Sequence, residues 1–200
     1  MDNASPTPPV KTRSFRIAVA VAVAFAGSSV VHAETTSINR AAVVNETARR
    51  VLTTGDGVLF PIDPSPVCEV LNNFGGYSKA FGSGGHQGVD IGATLGQEVY
   101  AVEDGILTSL FGGSSSGIGW ELWSDTDTKY RYYHLDAVAD GLAVGDRVTE
   151  RQVIGYVGDT GNATPGGWHL HFELRPGPDP YSTPVDPVPL LDIPWICNLY

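Results

Sequence analysis

Four of the five histidines lie after residue 33, and two of them form an H-x-H pair in the apolar run WHLHFEL. Residues i and i+2 of a strand face the same way. His169 and His171 should therefore project from one face, about 7 Å apart. One imidazole could bind a metal while the other moves a proton, and Trp168, Leu170 and Phe172 should face the core. Taken alone, an H-x-H pair is a weak indication of a metal site.

A second motif, H-x-x-x-D, places His86 and Asp90 in the stretch GGHQGVDIGA. Imidazole and carboxylate groups both bind zinc at about 2.0–2.2 Å. By itself the motif is better explained as a loop histidine and a turn aspartate. Combined with one histidine of the H-x-H pair, it supplies two imidazoles and one carboxylate. Three such ligands leave a fourth tetrahedral position for water, which is typical of catalytic zinc sites.

The remaining histidine, His134, lies in the segment KYRYYHLD. Strand alternation predicts that Tyr130, Tyr132 and His134 share one face. A half-buried structural histidine is the alternative interpretation. We interpret Glu173, which follows the H-L-H motif, as a surface or strand-end charge.

Short apolar runs, separated by turns rich in Gly, Asp and Asn, make up the chain after residue 60. They predict six strands: Glu98–Val102, Ile106–Phe111, Trp120–Ser124, Tyr130–Leu135, Val153–Val157 and His169–Leu174. With 24 glycines and 14 prolines in 200 residues, many short strands favour an all-β barrel or sandwich. Two similar stretches, at 96–99 and 145–148, resemble the halves of a barrel-sandwich hybrid. The proline-rich tail, 176–189, should run extended over the surface.

The N-terminus has the pattern of an export signal. Basic residues precede the apolar run IAVAVAVAFAG, and small residues follow at Val31-His32-Ala33. We predict a signal peptide over residues 1–33, because a membrane anchor, the alternative, needs about 20 apolar residues. Residues 34–59 would form an arm with one short helix over Ser37–Leu52, and residues 60–200 the domain. No stable membrane span is expected after cleavage.

The charge of the chain excludes some partners. The formal net charge is −10. Removing residues 1–33 takes away three basic residues and one acidic residue, so the charge becomes −10 − 3 + 1 = −12. Nucleic-acid binding needs clustered Lys and Arg, so no nucleic-acid partner is expected.

The two cysteines, Cys68 and Cys197, flank most of the predicted domain. In an exported protein an even pair predicts a disulfide. Two buried thiols are the alternative.

Together, the ordered motifs HQGVDIGA, GQEVYAVEDGIL, YYHLD and GGWHLHFELRP resemble the lysostaphin/LytM-type zinc metallopeptidases. The resemblance covers roughly residues 60–191. It implies that His86, Asp90 and His171 hold one zinc ion. His169 would then be the general base, and His134 would orient water or stabilise the tetrahedral intermediate. The loops 112–119 and 158–167 would wall the substrate groove.

The resemblance also implies a function. We expect an exported bacterial endopeptidase, periplasmic or secreted, that cuts peptide bonds in peptidoglycan and acts as a monomer. A non-catalytic wall-binding module or activator of another wall hydrolase is the alternative. A carrier domain of barrel-sandwich type is disfavoured by the export signal and by the lack of a lysine at a hairpin tip.

Overall fold

The computed structural model describes residues 57–76, 85–179 and 181–200. Ten strands form the described part: β1 (Glu69–Leu71), β2 (Val89–Gly92), β3 (Glu98–Tyr100), β4 (Gly105–Gly113), β5 (Gly117–Ser124), β6 (Thr128–Val138), β7 (Arg147–Val148), β8 (Val153–Val157), β9 (His169–Pro176) and β10 (Asn198–Leu199). A 3-10 turn covers Val188–Leu190. The predicted signal peptide and the helix over 37–52 lie outside the described residues. Among those that are described, no helix is long and apolar enough to cross a membrane.

The strands form one sheet in the order β10-β1-β2-β9-β6-β5-β4-β7, with β3 and β8 joined to it through β6. All pairs are antiparallel except β1 with β10. Strand β6 changes neighbour along its length. Its first half pairs with β9, and its last residues, from Leu135, pair with β8. The prediction of an all-β fold is therefore confirmed.

Large aromatic side chains fill the core where β5, β6 and β9 meet. Tyr130 and Tyr132 both pack on Phe172, with ring centroids 5.8 and 5.3 Å apart. The polar atoms of the buried aromatics all have partners, because an unpaired buried donor is costly. Trp120 donates to the carbonyl of Ile154 at 2.9 Å. These contacts fix β9 against β6, and so set the position of the H-x-H motif.

All six predicted strands are present, and most are longer than predicted. Residues 112–119 are not a loop, however. Strand β4 runs to Gly113 and β5 begins at Gly117, so a tight hairpin turn joins the two strands. Four strands were not predicted (β1, β2, β7 and β10), because strands of two to four residues are too short to show a period.

The tail is extended only in part. Val185 bridges to Leu174 of β9, the 3-10 turn interrupts the run, and Ser182 is buried. Beyond it, the disulfide between Cys68 and Cys197 is present. The predicted boundary at residue 60 stays a prediction, although Val58 is already buried and bonds to the carbonyl of Leu190 at 2.8 Å.

Candidate metal centre

Two neighbouring strands bring the three predicted metal ligands together. Asp90 on β2 is the direct partner of His171 on β9, and His86 lies just before β2. The segment between them passes very close to β9. A Cβ at Gly88 would lie 2.3 Å from the carbonyl oxygen of Phe172. Only glycine allows this approach, and it lets His86 fold back over the end of the strand.

The three side chains converge on one point. His86 Nε2 lies 2.9 Å from His171 Nδ1, and Asp90 Oδ1 lies 3.1 and 3.0 Å from these two nitrogens. In tetrahedral zinc sites, bond lengths near 2.0–2.1 Å place neighbouring ligand atoms about 3.3 Å apart. An outward movement of a few tenths of an ångström would therefore fit the cluster to a zinc ion. The donor set and its spacing are those of a metal site.

The electrostatics of the cluster also favour a cation. Burial raises the pKa of Asp90, but the adjacent imidazoles of His171 and His86 outweigh it and hold the pKa well below its usual range. For His171, burial lowers the pKa, while the bonds to Asp90 and Glu173 raise it to about 9. A proton on His171 Nδ1 is thus held between a carboxylate and a second imidazole. A metal ion would take the place of that proton.

Asn73 holds two of the ligands from behind. Its side-chain amide donates to Asp90 Oδ2 at 2.8 Å, and its carbonyl oxygen accepts from His86 Nδ1 at 3.2 Å. Because His86 Nδ1 is the donor in that bond, Nε2 carries the lone pair and faces the cluster. No sequence motif indicates this role, since Asn73 lies outside the motifs.

Glu173 is not a surface charge, and that interpretation was wrong. It is 3% exposed. Its Oε1 lies 3.4 Å from His171 Nε2, and its Oε2 accepts from Arg175 Nε at 2.6 Å. The interpretation placed Glu173 at a strand end, whereas β9 continues to Pro176. Glu173 therefore orients His171 so that Nδ1 points at the cluster.

His134 reaches the cluster through a local break in β6. Its φ is +64°, a left-handed conformation, at the point where β6 passes from β9 to β8. The predicted common face for Tyr130, Tyr132 and His134 is therefore wrong. The two tyrosines are in the core, while Tyr133 stacks on His171 at 5.6 Å. His134 lies on the same side, with its ring 4.8 Å from that of His169.

His134 and His169, the two histidines outside the ligand cluster, are held in the same way. His134 Nδ1 donates to the carbonyl of Thr160 at 2.8 Å, and His169 Nδ1 donates to that of Gly167 at 2.7 Å. Each neutral ring therefore keeps its lone pair on Nε2. His169 Nε2 lies 3.8 Å from Asp90 Oδ1. Burial lowers the pKa of His134 to about 4, so this imidazole is neutral near pH 7.

Trp168 departs from the predicted core position, since 39% of it is exposed, whereas Leu170 and Phe172 are fully buried. It precedes β9, where strand alternation no longer applies. Its carbonyl oxygen accepts from the amide of Ala93.

A groove of about 510 Å³ opens beside the cluster. One wall is the turn of the β4–β5 hairpin, residues 113–116, and Asn162 reaches it from the loop at 158–167. These walls are small and uncharged. Arg131 and Tyr133 also line the groove, and Arg131 Nε donates to Glu121 at 2.8 Å. His86, His134 and His171 thus line one groove.

The fold and the cluster define a β-sheet protein with a three-ligand metal-type site at the side of a groove. The profile of peptidase family M23 matches residues 84–187, and the chain belongs to that family.

Its relatives include the glycyl-glycine endopeptidase ALE-1 of Staphylococcus capitis, which is 32% identical over 132 residues. That match covers 60% of this chain and 34% of the relative. The L-Ala–D-Glu endopeptidase of Bacillus subtilis is 33% identical over 128 residues, which are 58% of this chain and 38% of that protein. The chain thus spans little more than a third of these relatives.

Among solved structures, the catalytic domain of the antimicrobial peptidase lysostaphin from Staphylococcus simulans superposes with a TM-score of 0.54 at 29% identity. The superposition covers 61% of this chain and 90% of that one. A zinc-containing peptidase from Vibrio cholerae gives a TM-score of 0.51 at 26% identity, over 63% of this chain and 37% of that one. The similarity to lysostaphin therefore extends over nearly the whole of its catalytic domain.

Proposed function

We propose that this protein is a zinc metalloendopeptidase that hydrolyses peptide bonds of bacterial peptidoglycan, and that residues 1–33 direct its export and are then removed. The convergence of His86, Asp90 and His171 at the side of an open groove carries this proposal. The relatives add support. One is named for cleaving glycyl-glycine bonds and another for an L-Ala–D-Glu bond.

In the proposed site His86 Nε2, Asp90 Oδ1 and His171 Nδ1 would hold one zinc ion. When bound, zinc acts as a Lewis acid on the scissile carbonyl and makes water acidic enough to react near neutral pH. The open groove leaves room for the substrate carbonyl and for that water on one side of the three ligands. His86 and His171 are buried, which would hold these ligands in place.

His169 is the proposed general base. Its Nδ1 is fixed on the carbonyl of Gly167, so Nε2 can accept a proton. That nitrogen lies 3.8 Å from Asp90 Oδ1, at the rim of the ligand cluster. Once protonated, Nε2 would return the proton to the leaving amine.

His134 is the second proposed proton-handling group. Its Nδ1–H group donates to the carbonyl of Thr160, so the neutral ring presents the lone pair of Nε2. It is therefore suited to hold the attacking water in line with the carbonyl carbon. Stabilising an oxyanion would first require Nε2 to gain a proton. The hydrogen-bond pattern thus favours water orientation among the two roles considered for this residue.

The proposal is tested by incubating the protein from residue 34 onward with purified peptidoglycan, with and without a chelator. The released fragments are identified by mass spectrometry. We expect fragments with newly formed peptide termini, their loss on chelation, and their return on adding zinc. His171→Ala should lose both zinc and activity. Activity that survives chelation would refute the metal-dependent mechanism, and a zinc-loaded protein that binds peptidoglycan without cutting it would instead be a wall-binding module.

A further inference from the structure

We propose that Thr160 is a positioning residue that sets both the backbone conformation and the ring tautomer of His134. This inference rests on the proposed function only for its kinetic consequence. Thr160 does not belong to either histidine motif and contacts none of the three proposed zinc ligands within hydrogen-bond distance.

The backbone at His134 has φ = +64°, a left-handed conformation that residues other than Gly seldom adopt, although Asn, Asp and His adopt it more often than the rest. Contacts around His134 must therefore hold it there. Its amide donates to the carbonyl of Ser116, in the turn of the β4–β5 hairpin, at 3.0 Å. A regular strand would place His134 on the face opposite Tyr133. The left-handed residue brings both onto the groove side.

The hydroxyl of Thr160 bridges the irregular part of the β5–β6 ladder. Ile118 and Leu135 are register partners next to a shift in that ladder. Thr160 Oγ1 accepts from the amide of Ile118 at 3.0 Å and donates to the carbonyl of Leu135 at 2.6 Å. A single side-chain hydroxyl therefore satisfies a donor and an acceptor on facing strands, directly after His134.

The carbonyl of the same residue fixes the ring. It accepts from His134 Nδ1 at 2.8 Å. A carbonyl can only accept, so the proton of the neutral imidazole must be on Nδ1. The hydroxyl holds the strand and the carbonyl holds the ring, and because both belong to Thr160 the two restraints cannot shift independently.

Close glycine contacts fix Thr160 itself. A Cβ at Gly117 would lie 2.3 Å from Thr160 Oγ1, and a Cβ at Gly161 would lie 2.3 Å from the amide nitrogen of Gly117. Both glycines have positive φ. The amide of Asn162 also donates to the carbonyl of Ser115 at 3.2 Å. The loop and the hairpin are thus in direct backbone contact, and Thr160 lies at the centre of that contact.

Thr160→Val keeps the shape of the side chain but can neither donate nor accept. It leaves the amide of Ile118 and the carbonyl of Leu135 without their partner. The backbone beside His134 should then relax, and the carbonyl of residue 160, which the variant retains, should lose its bond to His134 Nδ1. Thr160→Ser keeps the hydroxyl. Thr126→Val is a matched control, because it removes a hydroxyl that donates to Glu103 at 2.6 Å in the β5–β6 turn, at the other end of β6.

Two measurements decide the proposal. The first is the ¹⁵N NMR spectrum of the histidine rings in the zinc-free and zinc-loaded protein, which reports the tautomer of each imidazole. We expect His134 to be protonated on Nδ1 in the wild type and Thr160→Ser, and to show mixed tautomers in Thr160→Val. An unchanged His134 tautomer in Thr160→Val would overturn the proposal, and this readout does not depend on any peptidase activity.

The second measurement is kinetic. With zinc content equal to that of the wild type, Thr160→Val should lower kcat at least about tenfold, as expected when a proton-handling group is misplaced, with KM changed less than about twofold. Thr160→Ser should restore kcat to within about twofold, and Thr126→Val should not lower it. If Thr126→Val lowers kcat as much as Thr160→Val does, the role of Thr160 is merely structural. A zinc-loaded wild type that cuts no peptide would refute the proposed function and leave the NMR result to decide the positioning role.

Discussion

Asn73 contacts two of the proposed zinc ligands although it supplies no ligand atom itself. Its amide group bonds to both the carboxylate and the backbone amide of Asp90, at 2.8 and 3.2 Å. Asn73→Ala removes both bonds but leaves the carbonyl that orients His86. We expect zinc affinity to fall about 10–100-fold, as for other residues that orient metal ligands, measured by competition with a chromophoric chelator.

The neighbouring Asn72 offers the control for that experiment. It is exposed, and its backbone amide, which the substitution retains, bonds to the carbonyl of Tyr200. Asn72→Ala should leave zinc affinity unchanged. Equal affinities for Asn73→Ala and Asn72→Ala would show that Asp90 needs no support from Asn73.

Glu173 permits a second residue-scale prediction. Glu173→Gln retains the size of the side chain but replaces the charged acceptor behind His171. The bond strengthens the electron donation of Nδ1 to a metal, so its weakening should lower zinc affinity about tenfold or more. Isothermal titration with zinc would measure this. Glu103→Gln is the control, because Glu103 accepts from Tyr130 at 2.9 Å and touches no proposed ligand. An affinity loss of the same size in both variants would assign the effect to general loss of charge.

Among the elements, the contact of β2 with β9 decides whether the cluster forms at all. A methyl group at Gly88 would meet the backbone carbonyl of Phe172, which cannot move without displacing β9. We expect Gly88→Ala to separate Asp90 from His171 and to abolish stoichiometric zinc binding, with a loss of stability of about 1–3 kcal/mol from overpacking. Zinc content by mass spectrometry and thermal unfolding would measure the two effects.

Gly112 is the matched glycine for this test, since it also lies in a strand but has no atom within 4 Å of an added Cβ. Gly112→Ala should retain zinc and melt at the wild-type temperature. A Gly88→Ala variant that binds one zinc ion with wild-type affinity would show that the close approach is not required.

The sequence predicted the strands and ligand types that depend on local pattern. Residues 169–174 are a strand as predicted, and His169 and His171, on one face of it, both lie beside Asp90 Oδ1. Prediction from the sequence failed where a contact with a distant part of the chain decides the conformation. His134 leaves the alternation because β6 changes neighbours there. Buried Glu173 pairs with Arg131 of the neighbouring strand β6, in addition to Arg175 on its own strand. Asn73 is 17 residues from Asp90, so no local pattern could reveal their contact.

At the scale of the whole molecule, the disulfide joins the first strand to the last. Cys68 immediately precedes β1, Cys197 immediately precedes β10, and these two strands pair in parallel. The sequence separation of 129 residues means that the bond closes nearly the whole described chain into one loop. Such a bond acts mainly on the unfolded chain, which loses conformational freedom when its ends are tied together.

We therefore expect the double variant C68S/C197S to lose stability without losing the site. Chain-entropy arguments for a loop of this size give about 5 kcal/mol, and removing native disulfides typically costs about 2–5 kcal/mol. The melting temperature should accordingly fall by about 10 °C or more. Zinc stoichiometry and kcat at 25 °C should stay at wild-type values, because the ligands come from β2, β9 and the segment before β2. Scanning calorimetry with and without reductant gives the same comparison in the unmodified chain. A melting temperature that neither reductant nor substitution changes would mean that the bond does not form in the natural protein, and a loss of zinc at 25 °C would show that the β1–β10 pair also holds Asn73 against Asp90.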